Sequence, residues 1–445
     1  MRISVVGTGY VGLVSGTCLA ELGHTVVCID IDLDKVEKIS AGIPPIHERG
    51  LSELLRRNVE SRLSATTDLR SAVLDSDVTL IAVGTPFDGT AIDLRFVREA
   101  SRQVGAALRD KPSYHAVVVK STVVPGTTDE VVLPALEETS GKRAGADFGV
   151  GMNPEFLREG EAVEDFMHPD RIVLGGMDDR THRVLAELYS VFPAVDLLKT
   201  SNKTAEMIKY TANSLLATMI SFSNEIGNLC ATFGDVDVVE VMRGVHLDKR
   251  LTPIMPDGSR IVPAFTTYLE AGCGFGGSCF PKDVRALIAE ADRVGSPTKL
   301  LSAVMDVNER QPQQVLRLLD KHFASLIGVR LAVLGLAFKP DTDDIRESPA
   351  IPVIKSLLAR GALVTAYDPV ARREAERVLG NGEVTYSDEL SQAIEGAEVV
   401  LLMTRWKEFE CLPDLLAAAD PPPLLVDGRR MLDKSRIARY EGIGL

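Results

Sequence analysis

Residues 274–283, GFGGSCFPKD, set a single thiol, Cys279, behind a run of glycines and just ahead of Lys282 and Asp283. Glycine lets a backbone approach a ligand closely and adopt positive φ. A lysine and an aspartate three and four residues on could tune a thiolate or hold an anion. The same residues also suit a Gly-rich surface loop around an ordinary cysteine, so the rest of the chain has to decide.

A second group with chemical potential stands at the N-terminus. Residues 3–30 read as an apolar strand, a Gly-x-Gly-x-x-Gly turn, a helix and a second strand ending in acid. Gly7, Gly9 and Gly12 would supply the tight turn, the approach to a pyrophosphate and close helix–strand packing. The following helix N-terminus offers N–H groups to the phosphates. Asp30 stands where an acid meets the adenosine ribose, which favours NAD over NADP. Lys35, just beyond, could also face the ribose. Further strands at 77–86 and 115–128 each end in a turn carrying a threonine, Thr85 and Thr122. Such strand ends line the ligand crevice of a doubly wound sheet; both threonines could equally cap helices.

Glu155 and Glu159 share a face if their turn is helical, as a base-and-ligand pair or as a solvated pair. Lys209 and Asn213, also four apart, belong to a proline-free apolar stretch at 203–233 that predicts one long helix. Buried at a pocket they could stabilise an oxyanion; on a solvated helix they would do nothing. The helix itself reads as a domain spine and a dimer interface. Two more helices are expected after the thiol loop, and then the strand–turn–helix–strand pattern returns at 328–369. Its first strand ends at Gly335 and its second at Asp368, but GxGxxG is missing. Lys339 and Arg346 in that second turn suggest a different anion, or plain surface charge.

These elements imply an α/β protein of two Rossmann-like doubly wound units joined by a central helical domain with one long helix. The expected boundaries are 1–197, 198–324 and 325–445. A length of 445 residues calls for several domains, and 45% apolar with 25% charged residues is ordinary for a globular chain. The net charge of −14 speaks against a nucleic-acid or anionic-membrane surface, and no apolar run approaches a membrane span. No signal peptide is visible. The six cysteines form no CxxC pair and no zinc spacing. A reduced, cytoplasmic, metal-free protein is the expectation.

The segments GTGYVGL, VGTP, STVVPGTT, NPEFLREG, AEMIKYTAN, GFGGSCFPKD and FKPDTDDIRESP resemble, in order, the UDP-glucose/GDP-mannose dehydrogenase family over about residues 1–430. Family enzymes oxidise the C6 alcohol of a nucleotide sugar to the carboxylate with two NAD molecules per sugar. The resemblance implies that Cys279 adds to the aldehyde, that hydride transfer gives a thioester, and that water hydrolyses it. It implies that the glycines of the loop, Gly276 among them, admit the sugar. Lys209 and Asn213 would stabilise oxyanions, Asp283 with Thr122 would handle the water, and Glu155 is the candidate base for hydrolysis. It places Tyr10, Val11, Asp30, Lys35, Thr85, Thr122, Glu159, Lys282 and Arg346 near the cofactor. Glu155, Phe156, Leu157, Arg158, Tyr268 and Lys339 are expected at the substrate, and a homodimer is expected through the long helix.

Ser278 and Lys282 match the UDP-glucose and GDP-mannose branches rather than the UDP-N-acetylmannosamine branch, which carries His-Cys at the thiol. UDP-glucose is the substrate expected first, with TDP-glucose and GDP-mannose as alternatives. One departure is an apparent insertion at about 251–265 after HLDKR (246–250). It leaves Arg250 and Arg260 competing for one substrate-facing role. Two further readings are a two-electron β-hydroxyacid dehydrogenase, which has no use for the thiol or the second α/β unit, and a non-catalytic nucleotide-sugar sensor.

Overall fold

Short apolar runs punctuated by glycine build buried parallel strands in both halves of the chain. The computed structural model describes residues 1–59, 61–380 and 382–445. Contacts group them into two units, Met1–Ala212 and Asn213–Leu445.

The first unit is built on eight strands: β1 (Arg2–Val6), β2 (Thr25–Ile29), β3 (Leu63–Thr66), β4 (Val78–Ile81), β5 (His115–Val119), β6 (Phe148–Met152), β7 (Arg171–Gly176) and β8 (Asp196–Thr200). Their order is β3-β2-β1-β4-β5-β6-β7-β8, and every pairing is parallel except β6 with β7. Strand alternation separates two cores, one on each face. Val5 packs in one with Leu13, Leu80 and Val118, while Val6 packs in the other with Ile81, Val117 and Val119. Helix α1 (Tyr10–Glu21) is buried continuously from Gly12 to Ala20, which explains its apolar character all round.

The second unit repeats the order on a six-stranded parallel sheet, β11-β10-β9-β12-β13-β14. These strands are β9 (Arg330–Leu334), β10 (Leu363–Tyr367), β11 (Val384–Tyr386), β12 (Val399–Leu402), β13 (Leu424–Asp427) and β14 (Tyr440–Gly442). Leu331 and Val333 face one core, Ala332 and Leu334 the other. In both sheets the strand order reverses direction beside the first strand, the place where open α/β sheets bind ligands.

The expected long helix is present as Asn202–Phe233, 32 residues, beginning in the first unit and continuing in the second. The first of the two helices expected after the thiol loop starts within that loop, at Phe280, and runs to Arg293. Pro281 suits its first turn because the missing N–H has no intrahelical partner there. Lys299–Asp320 forms the next helix and passes through Pro312. The expected strands at 77–86 and 115–128 are shorter than their apolar runs: β4 ends at Ile81 and β5 at Val119, and the remainder forms the loops that carry the threonines.

Candidate active site

The glycine turn of the first unit divides into packing and open positions. Gly7 has φ +95°, and a Cβ there would lie 2.8 Å from the Ala82 carbonyl oxygen; a Cβ on Gly12 would lie 1.9 Å from that of Gly7. Gly9 faces open space and stands at the N-cap of α1 with no side-chain cap. The first-turn N–H groups of α1, at Tyr10 and Val11 among others, therefore point where a diphosphate can accept them.

Asp30 follows β2 and meets this turn directly. Its Oδ2 accepts from the Thr8 amide (2.9 Å) and hydroxyl (2.5 Å), and Lys35 Nζ lies 3.6 Å away. Burial pushes the carboxyl up. The Thr8 and Asp32 hydrogen bonds and the Lys35 charge outweigh it, so the net position is below the ordinary value. Oδ1 accepts from Asp32 N–H and retains acceptor capacity for a ribose hydroxyl. These residues fit NAD.

The equivalent acid of the second unit is used differently. Asp368 follows β10 and accepts from five donors: Leu336 N, Ala337 N and Trp406 Nε1 at one oxygen, Val370 N and Ala371 N at the other. Its lone pairs are filled from within, so a ribose finds no acceptor there.

Thr85 and Thr122 do not cap helices. Thr85 Oγ1 donates to the Thr122 carbonyl at 2.8 Å, tying the loops after β4 and β5 together. Glu155 and Glu159 do not share a helical face either, because residues 153–158 form an open loop. Glu155 instead turns inward, where Oε1 meets Lys209 Nζ at 2.8 Å and Oε2 accepts from Leu157 N at 2.7 Å. Burial alone would raise its carboxyl, but Lys209 and the Leu157 amide hold it below the ordinary range. The Lys209 ammonium also stands 5.6 Å over the Phe156 ring. Glu159 lies in the turn that follows the loop, and Arg158 pairs with Asp165 and Glu161 on the surface.

In the second unit Cys279 occupies the N-cap of the helix Phe280–Arg293, where the helix dipole favours negative charge. Its Sγ is 3.5 Å from Ser278 Oγ. Asp283, one turn on and 1% exposed, accepts from Asn213 Nδ2 at 2.6 Å and pairs with Lys282 at 2.5 Å. The loop glycines answer to the protein itself. A Cβ on Gly274, Gly276 or Gly277 would meet Asn308, the Glu347 carbonyl or the Phe338 ring at 2.9, 2.3 and 2.7 Å. Packing thus demands these glycines whatever a sugar requires.

Arg346 pairs with Asp344, while its carbonyl accepts from Gly277 N at 2.7 Å. Lys339 lies over the Phe338 ring. Since Lys209, Lys282 and Arg346 each carry an acid partner, the local positive field is smaller than a count of basic residues suggests. Arg260 spends its Nη1 on the Leu247 and Thr252 carbonyls and the Thr252 hydroxyl, closing the small hairpin of the insertion. Arg250 is exposed and pairs with its neighbour Asp248. Tyr268 ends a 3₁₀ turn with its ring 6.3 Å from that of Phe280.

Sequence reasoning missed the residues that hold the site residues in place. Asn308 brackets Phe275 through both its N–H and its carbonyl, Gln311 donates to Gly272, and Arg429 donates to the carbonyls of Gly274 and Met403. Lys120, buried directly after β5, interacts with Glu155 and Lys209. A lysine closing an otherwise apolar run, VVVK, was the signal available for it.

Three family models cover most of the chain: the UDP-glucose/GDP-mannose dehydrogenase family NAD binding domain over residues 1–193, its central domain over 203–310 and its UDP binding domain over 332–434. The chain belongs to the UDP-glucose/GDP-mannose dehydrogenase family. Among relatives, the UDP-glucose 6-dehydrogenase AglM of Haloferax volcanii is 45% identical, covering 100% of both chains. The GDP-mannose 6-dehydrogenase of Pseudomonas aeruginosa is 39% identical over 97% of this chain and 96% of its own. A solved UDP-glucose dehydrogenase structure from Pyrobaculum islandicum superposes with a TM-score of 0.89 at 42% identity, covering 99% of this chain and 97% of that one. This family member is an NAD-dependent oxidoreductase of nucleotide sugars. Among the described residues no helix is long and apolar enough to cross a membrane.

Proposed function

We propose that this dehydrogenase oxidises C6 of UDP-glucose to the carboxylate, consuming two NAD and one water per sugar, through a covalent adduct on Cys279. The observation that carries the reading is the Cys279–Asp283–Asn213 group: a half-buried thiol at a helix N-terminus, with a buried acid one turn on that Asn213 holds at 2.6 Å. When bound, NAD supplies the hydride acceptor; Gly9, Val11, Asp30, Lys35 and Thr85 are the residues proposed to hold it, with Tyr10, Glu159, Lys282 and Arg346 nearby.

The chain's own residues do the rest. The Cys279 sulfur forms a bond to the aldehyde carbon, and Lys209 and Asn213 donate to the oxygen that gains negative charge. After the second oxidation the sulfur is held as a thioester. Glu155 takes a proton from water, the water oxygen bonds to the carbonyl carbon, and the C–S bond breaks with its electron pair returning to Cys279. Thr122 and Asp283 position that water. Phe156, Leu157, Arg158, Tyr268, Gly276 and Lys339 are proposed to line the sugar nucleotide. Arg250 is favoured over Arg260 as the reaching arginine, because Arg260 is committed to its own hairpin. UDP is favoured by the names of the relatives; TDP-glucose and GDP-mannose are the alternatives.

Three functional parts are proposed, 1–197 for NAD, 198–324 for the thiol and dimerisation, and 325–445 for the nucleotide sugar. Dimerisation is supported by a stripe on the long helix. Leu215, Met219, Phe222, Ile226, Leu229 and Phe233 recur every three or four residues, and Leu215, Phe222, Leu229 and Phe233 are about half exposed or more. Six free cysteines suit a reducing cytoplasm.

The test is the NADH yield per sugar consumed with UDP-glucose, TDP-glucose, GDP-mannose and UDP-N-acetylglucosamine, for the native enzyme and for Cys279→Ser. Two NADH per UDP-glucose, with turnover lowered at least about a thousandfold in the variant, supports the reading. One NADH per sugar, or an unaffected variant, sinks the thioester route.

A further inference from the structure

Residues 272–279 lead to the thiol as irregular chain, and their buried peptide groups need partners that no sheet supplies. Amide side chains supply several of them. Gly272 N donates to Asn224 Oδ1 at 2.8 Å, and Gln311 Nε2 donates to the Gly272 carbonyl at 2.8 Å. Asn308 serves both groups of one residue: its Oδ1 accepts from Phe275 N at 2.8 Å, and its Nδ2 donates to the Phe275 carbonyl at 3.0 Å. A carboxamide sets a donor and an acceptor side by side, as a neighbouring strand would. The fit is close, because a Cβ on Gly274, at φ +103°, would stand 2.9 Å from Asn308 Oδ1. The residue pinned in this way reaches the helix of the thiol. Phe275 is buried in one core with Ala217, Val284, Val304 and Met305. Its ring meets the Phe280 ring edge-on, with centroids 6.0 Å apart and planes at 78°. Phe280 opens the helix Phe280–Arg293, whose N-cap is Cys279.

We propose that Asn308 is a positioning residue for the Cys279 thiol, acting through Phe275: the bracketed peptide holds the Phe275 ring against Phe280, and that contact keeps the sulfur on the helix N-terminus. This rests on the reading of Cys279 as the nucleophile. The dipole at a helix N-terminus favours negative charge only within the first turn, so a sulfur that drifts from it holds less thiolate at a given pH. Charged groups stand on the surrounding elements as well. They are Lys282, Asp283 and Arg285 on the thiol's own helix and Glu309 on the helix Lys299–Asp320. Arg346 and Glu347 belong to the turn that packs on Gly276 and Gly277, and Arg429 donates to the Gly274 carbonyl. Asn308 is neutral, so an apolar replacement leaves all of these charges in place and changes only the geometry.

The experiment alkylates the full-length protein with iodoacetamide across a pH series and follows each cysteine by peptide mass spectrometry. The thiolate sulfur bonds to the methylene carbon of the reagent as iodide leaves. The midpoint of each profile reads the thiolate, and the alkaline plateau reads access. Asn308→Ala and the bulkier Asn308→Leu should both move the Cys279 midpoint about 0.3–1 pH unit to the alkaline side. The profile of the exposed Cys411 should stay in place, and the buried Cys18, Cys28, Cys230 and Cys273 should stay protected. An unmoved Cys279 midpoint in both variants overturns the proposal, whatever the plateau does. Loss of protection at the buried cysteines in both variants also overturns it and leaves Asn308 a residue of the fold. Phe275→Leu keeps the backbone bonds and removes the ring, so it should reproduce the shift, and adding Asn308→Leu should move the midpoint no further. A native midpoint in Phe275→Leu, or full additivity, overturns the route through Phe275. Cys279→Ser separates the two ideas. Full turnover in that variant would remove the thiol as nucleophile and the proposal with it. Lost turnover there, beside an unmoved midpoint in the Asn308 variants, would overturn the Asn308 role alone.

Discussion

Lys209 Nζ lies 2.8 Å from Glu155 Oε1, with both side chains about 5% exposed or less. The pair joins the start of the long helix to the loop after β6. Removing one partner strands a buried charge, so Lys209→Met should destabilise the fold by about 3–5 kcal/mol. Adding Glu155→Gln should restore most of that loss. Urea unfolding of the two single variants and the double variant measures it. Because Glu155 is held below its ordinary value, its stabilising contribution is present above the unfolded glutamate range and is lost as pH falls through the depressed folded value. The pair's coupling energy should therefore be constant near neutrality and shrink only in acid.

The glycines of the first turn should fail in different ways. Gly12→Ala drives a methyl to 1.9 Å from the Gly7 carbonyl, so the turn must move and thermal stability should fall. Gly9→Ala meets nothing within 4 Å at an ordinary negative φ. Its melting temperature should stay within about 2 °C of the native value, while NAD affinity drops. Thermal melts paired with NAD titration separate the two; equal stability losses would contradict this division of roles.

Asp30 should govern the choice of dinucleotide. Asp30→Ala removes a charged acceptor, which corresponds to a loss of about ten- to a hundredfold in NAD affinity. It also removes the repulsion of a 2′-phosphate. The ratio of kcat/KM for NADP to that for NAD should therefore rise. An unchanged ratio would show that the acid serves its own contacts with Thr8, Asp32 and Lys35 rather than the dinucleotide.

The stripe of the long helix should govern assembly. Phe222→Glu with Leu229→Glu puts two charges on exposed apolar positions, so it should yield a folded monomer with an unchanged far-ultraviolet spectrum. Light scattering after size exclusion measures the mass. A variant that keeps the native oligomer would move the interface elsewhere.

Much of this architecture was legible in the residues because it is periodic or stereochemical. Strand-length apolar runs ending at Gly7 and Gly335 announced two α/β units, and helical spacing without proline announced the helix Asn202–Phe233. Gly7 and Gly12 are dictated by backbone approach, and a sequence records such a requirement locally. Pairings across long separations are not recorded in that way. Nothing near residue 155 shows that Glu155 turns inward to Lys209, nor does anything near residue 213 show that Asn213 reaches Asp283. The two acids Asp30 and Asp368 stand alike in sequence, each closing the second strand of its unit. Tertiary structure decided that one retains acceptor capacity while the other is filled by five internal donors, because three of those donors, Leu336 N, Ala337 N and Trp406 Nε1, come from segments 31 to 38 residues away. Lys120 is the same case: its type is plain in the sequence, but its burial beside a carboxylate and a second lysine depends on how β5, β6 and the long helix come together.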